Sequence, residues 1–205
     1  MVVLADEACK EEFMEKKLSA DVKVTFIESL SNIPGYSSAN VFFILKDKTI
    51  IENAEVFAGK PVFINSIIDT LQELELPENF SRINGWQGFL KREIWEVATG
   101  NETLIKDIFE KLEWKYITVA DEPGLVSARI ISMIINEAYF ALGEDVSTKE
   151  EIDLAMKLGT NYPYGPFEWS KKIGLKRIYM LLEKLGKTDN RYAIAPAMKS
   201  ELQNN

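Results

Sequence analysis

Up to residue 119, short apolar runs alternate with helical patterns, and after it only helical patterns follow. Strands are predicted at residues 2–5, 22–27, 41–45, 61–64, 80–84, 94–97 and 116–119, with helices at 7–18, near 67–74 and at 104–112. The run Val41-Phe42-Phe43-Ile44-Leu45 is apolar throughout, the pattern of a strand covered on both faces. Strand and helix in regular alternation predict a doubly wound α/β domain around a parallel sheet, here over residues 1–119.

Residues 120–205 predict an all-α domain. Ile130, Ile131, Met133, Ile134, Ile135, Ala138, Tyr139 and Leu142 occupy more than one face of a helix. Such a helix is expected to be covered all round, inside a large domain or against a second subunit. Arg129, Asn136 and Glu137 interrupt the run and read as buried polar anchors for nearby loops. Ser147-Thr148-Lys149-Glu150 has the spacing of a capping box, and Gly159 is the expected stop of the helix it starts. Pro163-Tyr164-Gly165-Pro166 fixes a tight corner, Phe167 and Trp169 read as core anchors, and residues 175–185 close the bundle. Fraying is expected at residues 204–205.

Composition removes several function classes. A net charge of −8 over 205 residues argues against nucleic acid, which needs clustered Lys and Arg to neutralise phosphates. No run approaches the roughly 18 apolar residues of a membrane span, so no membrane partner is expected. The start Met-Val-Val-Leu-Ala-Asp has no basic region of the kind that opens a secretory signal. One cysteine, Cys9, cannot form an internal disulfide, which suits a reducing cytoplasm. The chain has no histidine, so nothing of that kind is available to activate Cys9 as a nucleophile.

The first strand-to-helix step carries a specific chemical expectation. A dinucleotide fold needs G-x-G-x-x-G there, so that the backbone can approach a pyrophosphate seated on the helix N-terminus. This chain reads Ala5-Asp6-Glu7-Ala8-Cys9-Lys10. Side chains replace the glycines, and two carboxylates stand where an anion would lie. Asp6 is expected to cap the helix and Glu7 to sit at its positive end. Glu28 lies about where a ribose-binding acid belongs, but without a phosphate loop it reads as a surface charge at a strand end.

From Asp121 onward, several words occur in a fixed order. They are Asp121-Glu122-Pro123-Gly124-Leu125-Val126-Ser127-Ala128-Arg129, Asn136-Glu137-Ala138, Asp153-Leu154-Ala155-Met156-Lys157-Leu158-Gly159 and Pro163-Tyr164-Gly165-Pro166-Phe167. They resemble the C-terminal domain of the 3-hydroxyacyl-CoA dehydrogenases, whose pattern is close to D-x-P-G-F-x-x-N-R, N-E-A, D-x-A-M-x-x-G and P-x-G-P-F. Arg191-Tyr192 and Pro196 resemble that family's tail. The likeness is weaker before Asp121, where residues 1–119 resemble a shortened Rossmann domain. The resemblance implies a Rossmann-like parallel-sheet domain followed by an all-α helical domain, and a homodimer formed through residues 120–205. It also implies NAD as cofactor, an acyl-CoA-type ligand, and hydride transfer from C3 of a 3-hydroxyacyl-CoA.

The same resemblance places departures at the residues that would carry this reaction. Asn84-Gly85-Trp86-Gln87-Gly88 stands where the family has a word close to H-F-x-N-P, which puts Asn84 at the catalytic histidine position. An amide does not accept a proton near pH 7. Ile94-Trp95-Glu96-Val97 retains as Glu96 the glutamate that holds that histidine. Asn65 and Ser66 keep a substrate-binding word in kind, while Ile67 and Ala128 fill positions at which the family holds the substrate oxygen with serine and asparagine. The helical pair that covers CoA in the family is replaced by a short loop at residues 29–38. The expectation is that no cofactor binds and that the protein is noncatalytic, a dimeric or interaction protein linked to fatty acid and acyl-CoA metabolism. The alternative is an NAD-dependent 3-hydroxyacyl-CoA dehydrogenase of weak or altered activity.

Overall fold

The computed structural model describes residues 1–46 and 49–204, and the fraying expected at Asn205 falls outside them. The chain divides into two compact units, Met1–Leu125 and Val126–Asn205.

In the first unit the chain runs β1 (Val2–Leu4), α1 (Glu7–Met14), β2 (Thr25–Ile27), β3 (Phe42–Ile44), β4 (Val62–Asn65), β5 (Phe80–Ile83), β6 (Ile94–Thr99), α2 (Glu102–Leu112) and β7 (Lys115–Thr118). Short 3₁₀ turns at Leu30–Tyr36 and Ala54–Phe57 replace helices in two crossovers. The seven strands lie in the order β2-β1-β3-β4-β5-β6-β7.

This is the expected sheet with one correction. β5 and β6 pair antiparallel, with Ile83 against Val97 and Ser81 against Thr99, so the sheet is mostly rather than wholly parallel. The cause is the connection: residues 84–93 contain no helix, and a parallel return needs a crossover of about a dozen residues or more. The helix expected near 67–74 is absent as well. Those residues form turns in which Glu73 accepts hydrogen bonds from the Thr70 backbone N–H (2.8 Å) and hydroxyl (3.1 Å).

Alternation along each strand sends side chains to two cores. Val3, Phe43, Phe63, Ile83, Trp95 and Val97 pack under α1 and α2, while Val2, Leu4, Phe42, Ile44, Val62 and Phe80 pack on the opposite face. The first core is rich in aromatic rings. Phe43 stacks on Phe63 at 4.8 Å, and Lys16 Nζ lies 5.3 and 5.1 Å from the ring centres of Trp95 and Trp114.

The second unit holds α3 (Ser127–Gly143), α4 (Lys149–Thr160), α5 (Pro166–Ile173), α6 (Leu175–Gly186) and α7 (Pro196–Gln203). α3 touches α5, α6 and α7 and buries Ala128, Ile131, Ser132, Ile135, Ala138 and Tyr139. It is not covered all round: Val126 before it is 45% exposed and Ile130 is 54% exposed. Asn136 is the anchor expected, since its Nδ2 donates to Ala193 O at 2.8 Å and its Oδ1 accepts from Ala195 N at 2.9 Å. Glu137, expected to be a second such anchor, is exposed. The α4 cap sits one residue later than the spacing implied: Thr148 and Glu151 form the capping box, with Ser147 Oγ donating to the same Glu151 oxygen at 2.6 Å. The helix also runs past Gly159 to Thr160 and stops at Asn161 in the left-handed region, φ 55°. Phe167 and Trp169 are buried core residues. Among the described residues no helix is long and apolar enough to cross a membrane.

Candidate functional site

In open α/β sheets, ligands enter at the carboxyl ends of the strands where the winding reverses. Here that place lies between β1 and β3. At the end of β1, Asp6 is the N-cap of α1 and its Oδ1 accepts from Cys9 N at 2.8 Å. Glu7 follows in the first turn and is exposed. Both carboxylates therefore serve the positive end of α1. Glu28, after β2, is an exposed strand-end charge.

Backbone and side chains stitch this end of the sheet together. Leu45 N and Lys46 N donate to Leu4 O at 2.7 and 3.1 Å. Leu45 O accepts from Asn65 Nδ2 at 3.1 Å, and Asn65 Oδ1 accepts from Gly85 N at 3.1 Å. The buried Cys9 Sγ lies 3.9 Å from Leu45 O and 3.8 Å from Gly85 O. Gly85 is required for space, because a Cβ there would lie 2.6 Å from Asn65 Cγ. One element of this arrangement was not anticipated. Glu12, 5% exposed, accepts from Gly88 N at 2.5 and 2.7 Å with its two oxygens. Gly88 has φ +96°, so the 85–88 turn depends on glycine at both ends and on a buried carboxylate from α1. The signal was its spacing, since Cys9, Glu12 and Phe13 lie on one inward helical face.

Asn84 is 8% exposed, and its Oδ1 accepts from Trp86 N at 3.2 Å. β5 and β6 end their pairing at Ile83 against Val97, with Asn84 the next residue after the one and Glu96 the residue before the other. Glu96 is half-buried on β6 and faces Ile117 of β7 in register. Ile117 and Ile94 are 49% and 50% exposed. Burial holds the Arg92 guanidinium below its ordinary range, and the charge of Glu96 opposes that shift.

The pair expected to bind substrate, Asn65 and Ser66, lies at the β4 end, but its groups are turned to structural bonds. Asn65 makes the two bonds described above, and Ser66 Oγ donates to Asp69 O at 2.8 Å. Ile67 is 3% exposed, and Ala128 in the helical unit is fully buried. Asn84, Glu96, Asn65 and Ser66 thus sit at neighbouring strand ends, and among them Glu96 alone is a candidate proton acceptor.

Comparison with known proteins bears on this arrangement. Residues 124–205 match the family model for the 3-hydroxyacyl-CoA dehydrogenase, C-terminal domain. A 3-hydroxyadipyl-CoA dehydrogenase of Escherichia coli is 49% identical over 69 residues, 34% of this chain and 14% of the relative. A probable 3-hydroxybutyryl-CoA dehydrogenase of Bacillus subtilis is 36% identical over 107 residues, 50% of this chain and 37% of the relative. The chain therefore spans well under half the length of these curated relatives. The crystal structure of an (S)-3-hydroxybutyryl-CoA dehydrogenase from Ralstonia eutropha superposes with a TM-score of 0.73 at 22% identity, covering 88% of this chain and 70% of that one. That likeness shows the fold, a mostly parallel Rossmann-like sheet followed by a helical domain. The helical unit therefore carries the C-terminal domain of the 3-hydroxyacyl-CoA dehydrogenases, and the sheet unit shares the fold of the solved relative.

Proposed function

We propose that this 3-hydroxyacyl-CoA dehydrogenase-like protein has lost hydride transfer and acts as a noncatalytic dimeric or interaction protein linked to fatty acid and acyl-CoA metabolism. The observation that carries the reading is Asn84. It follows Ile83, whose register partner Val97 adjoins Glu96, it stands at the position the family gives its histidine base, and its side-chain oxygen accepts from Trp86 N at 3.2 Å. The first turn of α1 supports the same reading. Its residues do not fit a dinucleotide, because glycines are missing from residues 5–10 and the Cys9 amide is bonded to Asp6 instead.

Dimerisation through the helical unit is part of the proposal. Ile130 on α3 and Leu154 and Leu158 on α4 are 54%, 53% and 78% exposed, apolar surface that a second copy would cover. A reducing, cytoplasmic location suits the single thiol, Cys9. The retained carboxylate favours a second reading, an NAD-dependent dehydrogenase of weak or altered activity in which Glu96 serves alone as base.

Calorimetric titration tests the proposal, using the purified protein with NAD and, separately, with acetoacetyl-CoA. The expected result is no saturable heat from NAD. Saturable binding near one NAD per chain would overturn the noncatalytic reading.

A further inference from the structure

β5 carries a charge into the interior of the sheet unit. The Arg82 side chain is 0% exposed, and arginine is almost never so deeply buried unless it is fully partnered. Its Nε donates to Ser66 O at 2.7 Å and its Nη2 to Ile67 O at 3.1 Å. Its Nη1 donates to Asp121 Oδ1 at 2.5 Å, and both terminal nitrogens reach Glu122 O at 3.4 Å.

Asp121 completes the arrangement from the other side. Its carboxylate accepts from Leu71 N at 2.9 Å and from Gln72 N at 3.4 Å. Gly124 N then donates to Ile67 O at 2.7 Å. Residues 66–72 and 121–124 lie outside the helices and strands and are far apart in the chain, yet they converge on one guanidinium. The planar fork of arginine suits this, because its donors leave in fixed directions toward three carbonyls and a carboxylate.

We propose that Arg82 and Asp121 form a buried clasp that fixes residues 66–72 and 121–124 as one body. In this role Arg82 is a positioning residue for Ser66 and Ile67, two positions of the candidate site. The inference goes beyond the functional reading above, because the clasp holds these segments whether or not a ligand is ever bound. It also accounts for two consecutive residues with positive φ where the first unit ends, Gly124 at +86° and Leu125 at +48°. A non-glycine residue keeps that conformation where surrounding bonds determine it.

The test is amide hydrogen exchange, read residue by residue, on the full chain carrying Asp121→Asn or Arg82→Lys. The decisive amide is Gly124, which bonds to Ile67 O and to neither clasp side chain. In Asp121→Asn the amides of Leu71, Gln72 and Gly124 should all exchange at least about tenfold faster, with β1 and β3 unchanged. Acceleration confined to Leu71 and Gln72 would reduce Asp121 to a local hydrogen-bond acceptor and overturn the clasp. Uniform acceleration across the sheet would make the pair a general stability element and overturn it equally. Should Asp121→Asn fail to fold, Arg82→Lys gives the same readout: faster exchange at Gly124 supports the clasp, and wild-type exchange there overturns it.

Discussion

Gly165→Ala should cost the helical unit more than its small size implies. Gly165 has φ −71° and ψ 165°, open to any residue, so the requirement is for space. A Cβ there would lie 2.3 Å from Asp153 Oδ1 and 2.4 Å from Asp153 Cγ. Asp153 is 8% exposed and is the residue that α4 buries in the unit. Its carboxylate accepts from Phe167 N at 2.7 Å and Glu168 N at 3.1 Å, the first free amides of α5. Making room for the methyl drives the carboxylate off both. Hydrogen bonds to a charged acceptor are worth about 1.5–3 kcal/mol each, so losing both is expected to cost roughly 3–6 kcal/mol. Urea denaturation followed by circular dichroism at the helix band measures it. The mechanism is separable from simple crowding by a double-mutant cycle with Asp153→Ala. If Gly165 acts through Asp153, the double variant should lie within about 1 kcal/mol of Asp153→Ala alone. Fully additive losses, or a Gly165→Ala cost below about 1 kcal/mol, would refute the reasoning.

Two further expectations concern the helical unit. Hydrogen bonds from Ser147 and Thr148 hold the Glu151 carboxyl below its ordinary range. A depressed folded-state value means stability that is present above the unfolded Glu value of about 4.3 and is lost as pH falls below it. Glu151→Gln should therefore flatten the acid limb of the pH–stability curve, and an unchanged limb would contradict the capping account. Leu158→Asp and Ile130→Asp place charge on side chains 78% and 54% exposed, so each should fold as the wild type does and sediment as a monomer if this surface carries the dimer. A wild-type protein that sediments as a monomer at tens of micromolar would remove the dimer from the proposal.

What was legible in the sequence was local. Seven short runs located the seven strands, and in the inner ones, buried on both faces, Val2, Val3, Phe42 and Phe43 divide between the two cores as alternation requires. Asp6 was legible as a cap because it bonds an amide three residues away. Strand direction was not, since nothing in residues 80–99 states that β6 returns antiparallel; that follows from the length of the connection. Residues 67–74 carry a helical spacing of Ile67, Leu71 and Leu74, but Leu71 N is claimed by Asp121, fifty residues on. The burial of Arg82 and Glu12 is hidden in the sequence for a related reason. A charge in a strand or on a helix ordinarily faces solvent, and only the tertiary partners, Asp121 and the Gly88 amide, make these two burials affordable. At the site, both the antiparallel pairing that brings Ile83 against Val97, beside Asn84 and Glu96, and the structural bonds made by Asn65 and Ser66 required the folded chain.

The noncatalytic account is tested most directly by NADH formation from 3-hydroxybutyryl-CoA and NAD, followed at 340 nm near neutral pH with the unmodified protein and with Glu96→Gln. The account predicts background rates for both, because Asn84 cannot take the hydroxyl proton and residues 5–10 do not fit the cofactor. Clear NADH production by the unmodified protein that disappears in Glu96→Gln would contradict it and make Glu96 the base.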